Sequence, residues 1–209
     1  MSFQLQANAV EIYERVIVPL WFEHWTNALL SLVPPKPGDT VLDVACGTGV
    51  VSRFAKRRVG PKGEVDGLDV NASMISWAKS LPEGPYINWI ESDVCQSGLA
   101  SNRYNKVYSQ QGYQYFPNKE KALGELFRLL VPGGNLAFSV WDGQSVYTEA
   151  VCFAIERYIS PESAETQRRQ RETPQLAELE SALNKAGYSD IQVERQELEI
   201  SVPLANEFV

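Results

Sequence analysis

The chain has 209 residues, a length that predicts one domain and leaves no room for a second large one. Hydrophobic residues make up 44% of the sequence and aromatic residues 11%, which is enough for a packed core and excludes a disordered, collagen-like or coiled-coil protein. The formal net charge of −7 offers no excess positive potential to a phosphate backbone, so we expect no nucleic-acid partner.

The cysteines and the lengths of the apolar runs predict the cellular compartment of the protein. Cys46, Cys95 and Cys152 are odd in number, lie far apart and form no Cys-x-x-Cys pair, so they predict neither a disulfide framework nor a metal site. No apolar run approaches the length of a membrane span, and residues 1–10 lack the basic and apolar regions of a signal peptide. We therefore expect a cytoplasmic protein with no membrane span.

The first 33 residues predict a helical arm. Apolar residues recur at helical spacing from residue 5, with Trp21, Trp25 and Leu29 on one stripe. Pro19 is expected to divide this helix in two, because proline has no backbone N–H to donate. We call residues 1–33 the N-terminal arm, and expect it to act as a lid because its apolar stripe needs a partner surface.

Residues 34–143 predict the core of the domain, because apolar runs alternate there with segments of helical spacing. The runs lack a clean alternation of apolar and polar residues, which is typical of strands covered on both faces. The expected strands are Thr40–Ala45, Glu64–Leu68, Tyr86–Ile90, Lys106–Ser109 and Asn135–Trp141, and the expected helices are Val50–Val59, Ala72–Ser80 and Glu120–Leu130. Such alternation predicts an α/β fold with a Rossmann-like, doubly wound, mostly parallel sheet.

The pattern weakens after the fifth expected strand. Residues 144–173 hold one amphipathic stretch and a charged run, and we interpret them as an insertion over the site. Residues 174–209 predict a helix that begins at Thr173 or Pro174 and ends at Ala186, followed by a final strand at Ile191–Val202. The apolar residues of that strand change parity midway, so a bulge is expected near residues 195–197.

One segment carries most of the chemical information. Residues 41–49 read V-L-D-V-A-C-G-T-G, a predicted strand that turns through a small-residue loop into a helix, so that a ligand can approach the backbone. Asp69 lies twenty residues past Gly49 at the tip of the next strand, where its two oxygens match the two hydroxyls of a ribose. Ser52 stands where a dinucleotide fingerprint has its third glycine, which weakens the reading as a nicotinamide dinucleotide site.

Four motifs in this order resemble those of the class I S-adenosylmethionine-dependent methyltransferases. The matching positions are Asp43, Ala45, Gly47 and Gly49 in the first motif, residues 65–74 in the second, residues 91–94 in the third and residues 129–134 in the turn before the fifth strand. The N-terminal arm and the sequence S-Q-Q-G-Y-Q-Y-F at residues 109–116 resemble the small-molecule branch that includes the ubiquinone/menaquinone-type methyltransferases.

The resemblance implies S-adenosylmethionine as cofactor and a role for each matching residue. Asp69 would hold the ribose, Asp93 the adenine amino group, Val70 and Val94 the adenine faces, and the loop at residues 45–49 the methionine part. The full set of expected cofactor-binding residues is Asp43, Ala45, Gly47, Gly49, Asp69, Val70, Met74, Asp93, Val94, Ser109 and Gln111.

Two departures from the family pattern stand out. Asn105 replaces the aspartate that usually opens the fourth strand, and the chain stops soon after the sixth expected strand, where the family continues. A closing antiparallel strand is therefore expected to be missing. The edge at residues 191–202 would then be exposed, shifted inward or paired in a homodimer.

The expected function is transfer of a methyl group to an oxygen, nitrogen or carbon nucleophile of a small molecule. Candidates for a general base are His24, Tyr13, Tyr113 and Asp142, none of them preferred, and no metal is expected. Two alternatives stay open, an NAD-dependent oxidoreductase and a protein that binds S-adenosylmethionine without catalysis.

Overall fold

The computed structural model describes residues 7–169 and 174–200. Its described strands form one five-stranded sheet in which every neighbouring pair is parallel, in the order β3-β2-β1-β4-β5. The strands are β1 Thr40–Val44, β2 Glu64–Asp69, β3 Asn88–Glu91, β4 Tyr104–Gln110 and β5 Leu130–Ser139. The predicted doubly wound α/β fold is confirmed, and the carboxyl ends of all five strands lie at one edge.

Helices cover both faces of the sheet and bury a core on each. The first core holds residues of the arm, α3 and α4, and the second holds residues of α5 and α8. The helices are α1 Ala7–Ile12, a π-helical segment Tyr13–Phe22, α2 Glu23–Leu32, α3 Val50–Val59, α4 Ala72–Ser80, α5 Lys119–Leu129, α6 Val146–Tyr158, α7 Pro161–Arg169 and α8 Leu176–Ala186. No helix among the described residues is long and apolar enough to cross a membrane.

The prediction that Pro19 divides the arm is wrong, because helical structure is continuous from Ala7 to Leu32. Around the proline the chain adopts π-helical turns, and the Glu23 N–H donates to the Val18 carbonyl five residues back. In an α-helix the proline ring would clash with the carbonyl four residues back, and the wider π turn gives it room. The arm therefore stays one helical body across the proline.

Two polar side chains of β4 make three hydrogen bonds that hold this helix to the carboxyl half of the strand. The Gln110 side chain donates to the Phe22 carbonyl at 3.1 Å and accepts from the Thr26 hydroxyl at 3.1 Å. The Tyr108 hydroxyl donates to the Val33 carbonyl, where the arm ends. The arm is thus held against the strand whose end is expected to line the site.

Gly49 and Gly67 leave room for the ring of Trp89 in β3. A Cβ at Gly67 would lie 2.5 Å from the ring, and a Cβ at Gly49 would lie 2.2 Å from it. The indole N–H of Trp89 donates to the Gly84 carbonyl at 2.9 Å, so the ring cannot move aside freely. Gly49 in addition has φ of +85°, which disfavours any side chain.

The predicted C-terminal strand is wrong over residues 191–200, which carry no strand, while residues 201–209 lie outside the described part. A strand there would place apolar side chains on both faces because of the change in parity. Arg195 instead pairs with Asp142 at 2.9 Å, on the surface. Among the described residues the last strand is β5, so the expected strand edge does not form at residues 191–200.

The other C-terminal expectations have mixed outcomes. Helix α8 begins at Leu176, two or three residues later than expected, and ends at Ala186 with Gly187 as a left-handed cap of φ 104°. Helices α6 and α7 pack on each other, and the Trp21 ring of the arm lies 5.2 Å from the Tyr147 ring of α6. That these helices form an insertion over the site stays a prediction.

We predict that Gly67→Ala destabilises the protein by about 1–3 kcal/mol, because the new methyl group overlaps the Trp89 ring. Gly124→Ala is the matched control: an added Cβ there meets nothing within 4 Å in α5. It should stabilise the protein by about 0.5–1 kcal/mol. Urea unfolding followed by circular dichroism measures both changes. Equal free energies of unfolding for Gly67→Ala and the unmodified chain would contradict the packing account.

Candidate functional site

The loop after β1 makes a tight left-handed turn into α3. Ala45, Gly47 and Gly49 have φ of 55°, 57° and 85°. The Cys46 N–H donates to the Leu68 carbonyl at 3.1 Å, and the Gly49 N–H donates to the Cys46 carbonyl at 2.8 Å. Glycine is the residue that adopts such angles at little cost, so the turn itself explains the two glycines of the motif.

Asp43 lies fully buried at the base of this loop. Its Oδ2 accepts from the Ser52 N–H at 2.9 Å and from the Ser52 hydroxyl at 2.6 Å. Its Oδ1 has no hydrogen-bond partner among the described residues. Burial raises the pKa of Asp43 to about 7, against the lowering effect of the bonds from Ser52. Ser52 therefore hydrogen-bonds the Asp43 carboxyl through both its backbone and its side chain. It stands at the position where a dinucleotide fingerprint has its third glycine.

Asp69 at the tip of β2 joins two loops. Its Oδ2 accepts from the Gly47 N–H at 2.8 Å, and its Oδ1 accepts from the Asn71 N–H at 2.8 Å. Burial raises the pKa of Asp69, and these backbone donors oppose that rise. A carboxylate has about four lone-pair sites, so each oxygen can still accept from a hydroxyl group. The residue caps its own turn and remains suited to bind a ribose.

The residues expected around an adenine lie beside Asp69. Asp93 caps the turn at Val94–Gln96, since its Oδ1 accepts from the Cys95 N–H at 2.8 Å. Val94 and Met74 are buried, whereas Val70 is 46% exposed and so presents an apolar surface to a planar ring. Because β2 and β3 are parallel neighbours, with Asp69 paired to Glu91, these side chains reach the same edge of the sheet.

The arm lies directly over the loop after β1. The Tyr13 hydroxyl is 3.6 Å from the position that a Cβ at Gly47 would take. One nitrogen of the Arg53 guanidinium donates to Glu14 Oε1 at 2.7 Å, and another donates to the Thr48 carbonyl at 2.6 Å. Both charged side chains are buried, with 7% and 13% of their surface exposed. The guanidinium thus bridges the arm and the loop.

Burial, and then the charges of Asp69 and Glu14, raise the pKa of Tyr13. The phenol is therefore protonated near neutral pH. A protonated hydroxyl over the loop can donate a hydrogen bond, whereas it is a poor proton acceptor. The structure brings Tyr13 into the site as a donor rather than as a base.

The other three candidate bases are either packed in the core or exposed. Tyr113 is buried and stacks on Phe138, with ring centroids 5.3 Å apart, and burial raises its pKa. His24 is exposed on α2, and Asp142 is exposed and paired with Arg195. None of the three is positioned by the described residues to take a proton at the end of β1.

Several buried polar atoms at this edge lack a hydrogen-bond partner among the described residues. They are Asp43 Oδ1, Asn71 Nδ2, Ser109 Oγ, Gln111 Oε1, Gln114 Oε1 and Nε2, and Ser139 Oγ. Each such atom costs about 1–3 kcal/mol if it stays unpaired, so their concentration at one edge indicates a ligand site. The carboxyl groups of Asp43, Asp69 and Glu14 around the loop accept hydrogen bonds and carry negative charge when ionised, which fits the ammonium, sulfonium and hydroxyl groups of S-adenosylmethionine.

Sequence reasoning missed Glu14, Arg53 and Gln110. Each acts through a partner far along the chain, 39 residues apart for Glu14 and Arg53 and 88 residues apart for Gln110 and Phe22. For Glu14 and Arg53 the sequence signal was a charged residue in a helix with an apolar face. Such a residue does not by itself identify its partner.

Residues 41–134 match a family model described as a methyltransferase domain. The match spans 94 of the 209 residues, so it shows that this part of the chain is similar to a methyltransferase domain. The resemblance seen in the four sequence motifs is thereby confirmed, and all four motifs fall within or at the border of the matched range.

Curated relatives are similar to this chain over about half of their length. A 2-phytyl-1,4-naphtoquinone methyltransferase of Nostoc sp. is 31% identical over 117 residues, which cover 54% of this chain and 51% of the relative. The ubiquinone/menaquinone biosynthesis C-methyltransferase UbiE of Neisseria meningitidis is 36% identical over 114 residues, covering 54% of this chain and 46% of the relative. The chain spans about half the length of these relatives.

Solved structures share the fold over most of the chain. Phosphoethanolamine N-methyltransferase 2 of Haemonchus contortus, in complex with S-adenosyl-L-methionine, has a TM-score of 0.69 at 22% identity, over 90% of this chain and 43% of that one. A SAM-dependent methyltransferase from Aquifex aeolicus has a TM-score of 0.64 at 22% identity, over 91% of both chains. At this identity the likeness establishes the fold alone.

We predict that ionisation of Asp43 makes the protein less stable as the pH rises from about 4 to 7. Burial raises the pKa of this carboxyl in the folded chain, so the unfolded chain binds fewer protons in that window and gains relative stability. Asp43→Asn cannot ionise and should flatten the dependence, while the exposed Asp142→Asn should retain it. Chemical denaturation at several pH values measures the slopes, and equal slopes for all three proteins would contradict the assignment.

Proposed function

We propose that the protein binds S-adenosylmethionine and transfers its methyl group to a nucleophilic oxygen, nitrogen or carbon atom of a small molecule. The observation that carries this proposal is the Asp69 carboxylate, which accepts from the N–H groups of Gly47 and Asn71 and so fixes both loops that would contact the cofactor. The match of residues 41–134 to a methyltransferase domain model supports it.

Different residues at the carboxyl edge of the sheet would bind different parts of the cofactor. Asp69 would bind the ribose, Asp93 the adenine amino group, and Val70 and Val94 the ring faces. Asp43 and the loop at residues 45–49 would hold the methionine part, since Asp43 Oδ1 is buried there without a protein partner among the described residues. Bound S-adenosylmethionine supplies a methyl group on a sulfonium sulfur, which is already a good leaving group.

The chain's own contribution to the reaction is positioning and exclusion of water. The phenols of Tyr13 and Tyr113 have raised pKa values and stay protonated, and His24 and Asp142 are exposed. Alignment of a nucleophile at about 3–3.5 Å from the methyl carbon can supply much of the barrier reduction without a base. The arm, packed over the loop, keeps solvent from the reacting atoms.

One observation bears on the class of acceptor and another on the class of cofactor. The curated relatives named above are quinone methyltransferases, which favours a quinone-type or similar small molecule. Ser52 bonds to Asp43 rather than leaving room for a pyrophosphate, which disfavours the NAD-dependent alternative. A cytoplasmic location and a homodimer through the C-terminal sheet edge stay predictions.

We predict that Asp69→Ala weakens S-adenosylhomocysteine binding at least about tenfold, because two charge-assisted hydrogen bonds of about 1.5–3 kcal/mol each are lost. Asp39→Ala is the matched control, since Asp39 precedes β1 at the opposite end of the sheet. Isothermal titration calorimetry on both variants measures the dissociation constants. An unchanged constant for a folded Asp69→Ala would reject the ribose assignment.

We further propose that the N-terminal arm is a lid held closed by the pair Glu14 and Arg53. Glu14→Gln leaves the buried guanidinium without a counter-charge, and should therefore loosen the arm and weaken S-adenosylhomocysteine binding several-fold. Glu11→Gln, which removes an exposed pair with Arg15, should do neither.

Hydrogen exchange of residues 9–32, with and without S-adenosylhomocysteine, tests the lid. Ligand should slow exchange of the arm in the unmodified chain and in Glu11→Gln, and much less in Glu14→Gln. Arm exchange that is indifferent to ligand in all three proteins would make the arm a structural element only.

A further inference from the structure

Asp43 holds a buried carboxyl oxygen without a hydrogen-bond partner in the middle of the sheet. Its register neighbours are Gly67 in β2 and Tyr108 in β4, and the residue is 0% exposed. Ser52 supplies two donors to Oδ2, whereas Oδ1 has no partner among the described residues. Bulk water does not reach this oxygen, so the hydrogen bond that it lacks is one that a ligand can supply.

The charged groups around Asp43 do not neutralise it. The Arg53 guanidinium hydrogen-bonds to Glu14 and to the Thr48 carbonyl, so its charge is matched by Glu14 on the arm. Asp69 accepts from backbone N–H groups, which carry no net charge. Once Asp43 ionises, the described part of the chain pairs no cation with either aspartate, and such buried unpaired charge is costly.

The phenol and thiol groups around Asp43 stay protonated near neutral pH. Burial raises the pKa of the Cys46 thiol in the loop and of the Tyr13 phenol on the arm. Burial also raises the pKa of Tyr108, whose hydroxyl donates to the Val33 carbonyl. The neighbours of Asp43 that change charge in acid are therefore the other two carboxyl groups, those of Asp69 and Glu14.

Without a ligand, Asp43 is largely protonated in mildly acidic solution. Burial raises its pKa to about 7 against the bonds from Ser52, and the charge of Asp69 adds to the rise. A cation held against Oδ1 would favour the ionised form and lower that pKa again. A ligand that does so displaces the proton, and binds more tightly as the pH rises toward neutrality.

The proposed cofactor carries such a cation in its methionine part. The α-ammonium group of S-adenosylmethionine and of S-adenosylhomocysteine has three N–H donors. The loop at residues 45–49, which would hold the methionine part, leaves β1 just after Asp43 and is fixed by the bond from the Gly47 N–H to Asp69. An ammonium bound at this loop supplies both the donor that Oδ1 lacks and the missing positive charge.

We propose that cofactor binding ionises Asp43: the carboxyl group loses its proton to solvent, and Oδ1 accepts a hydrogen bond from the ammonium group of the cofactor. The inference rests on the proposed methyltransferase function and adds control of the same site by pH. Cofactor affinity then falls as the solution becomes acidic, because the ligand must displace a proton.

Calorimetry in buffers with different enthalpies of ionisation measures the released proton. At about pH 6.5, binding of S-adenosylhomocysteine to the unmodified chain should release at least about half a proton per ligand. Methylthioadenosine has the same nucleoside and a thioether but no ammonium group, so it should release almost none. Equal proton release for the two ligands, or none for either, would overturn the proposal.

The Asp43→Asn variant identifies the carboxyl group. From about pH 5.5 to 7, the affinity of the unmodified chain for S-adenosylhomocysteine should rise about tenfold. The affinity of Asp43→Asn should change little over that range, with almost no proton released. Asp39→Asn, the same change at the opposite end of the sheet, is the matched control and should keep both the rise and the release. Full proton release by Asp43→Asn would contradict the assignment.

Methylthioadenosine also separates a local effect from a misfolded variant. Asp43→Asn should bind it as the unmodified chain does, because Asp69 and Asp93, which would bind the nucleoside, are unchanged. Binding of S-adenosylhomocysteine without proton release would reject the inference and leave the proposed function standing. Failure of the unmodified chain to bind S-adenosylhomocysteine would reject the methyltransferase function, and the proton linkage with it.

Discussion

The two hydrogen bonds that Asp69 accepts are the interaction on which the candidate site depends. One oxygen holds the N–H of Gly47 in the loop after β1, and the other holds the N–H of Asn71 at the start of α4. Neighbouring parallel strands bring both loops to one edge, and this carboxylate ties them to each other there, beside the bond from the Cys46 N–H to the Leu68 carbonyl. Asp69 therefore holds the left-handed turn at Gly47 and would also bind the ribose.

Buried negative charge is the second feature of the site. Asp43, Asp69 and Glu14 are all largely buried around the loop, and burial raises the pKa of each. Arg53 is the one cation that the described residues place among them, and it also holds the Thr48 carbonyl. A ligand with positive charge would stabilise the ionised carboxylates, so closure of the arm and binding of a cationic cofactor favour each other.

The fold was largely predictable from the sequence because apolar runs without clean alternation recur between segments of helical spacing, which is typical of a covered parallel sheet. The glycines were predictable as well, although Gly67 serves the Trp89 ring and not a ligand. Two local rules failed. Pro19 is accommodated by a π-helical turn, and residues 191–200 have β propensity without one consistent apolar face.

The candidate site was predictable only in part, for a different reason. Asp43, Asp69 and the loop glycines lie within short motifs, so their spacing in the sequence predicts that they lie close together in the fold. The bridge from Glu14 through Arg53 and the bond from Gln110 to the arm join distant segments, and no local pattern specifies them. Candidate bases chosen by residue type, such as His24 and Asp142, prove to be exposed once their elements are packed.

A crystal structure of the protein with S-adenosylhomocysteine tests the central claim most directly. The account predicts both ribose hydroxyls within hydrogen-bond distance of the Asp69 carboxylate, with the bonds from Gly47 and Asn71 retained and the arm closed through Glu14 and Arg53. A ligand bound elsewhere, or a ribose out of reach of Asp69 while that carboxylate contacts only Gly47 and Asn71, would contradict it.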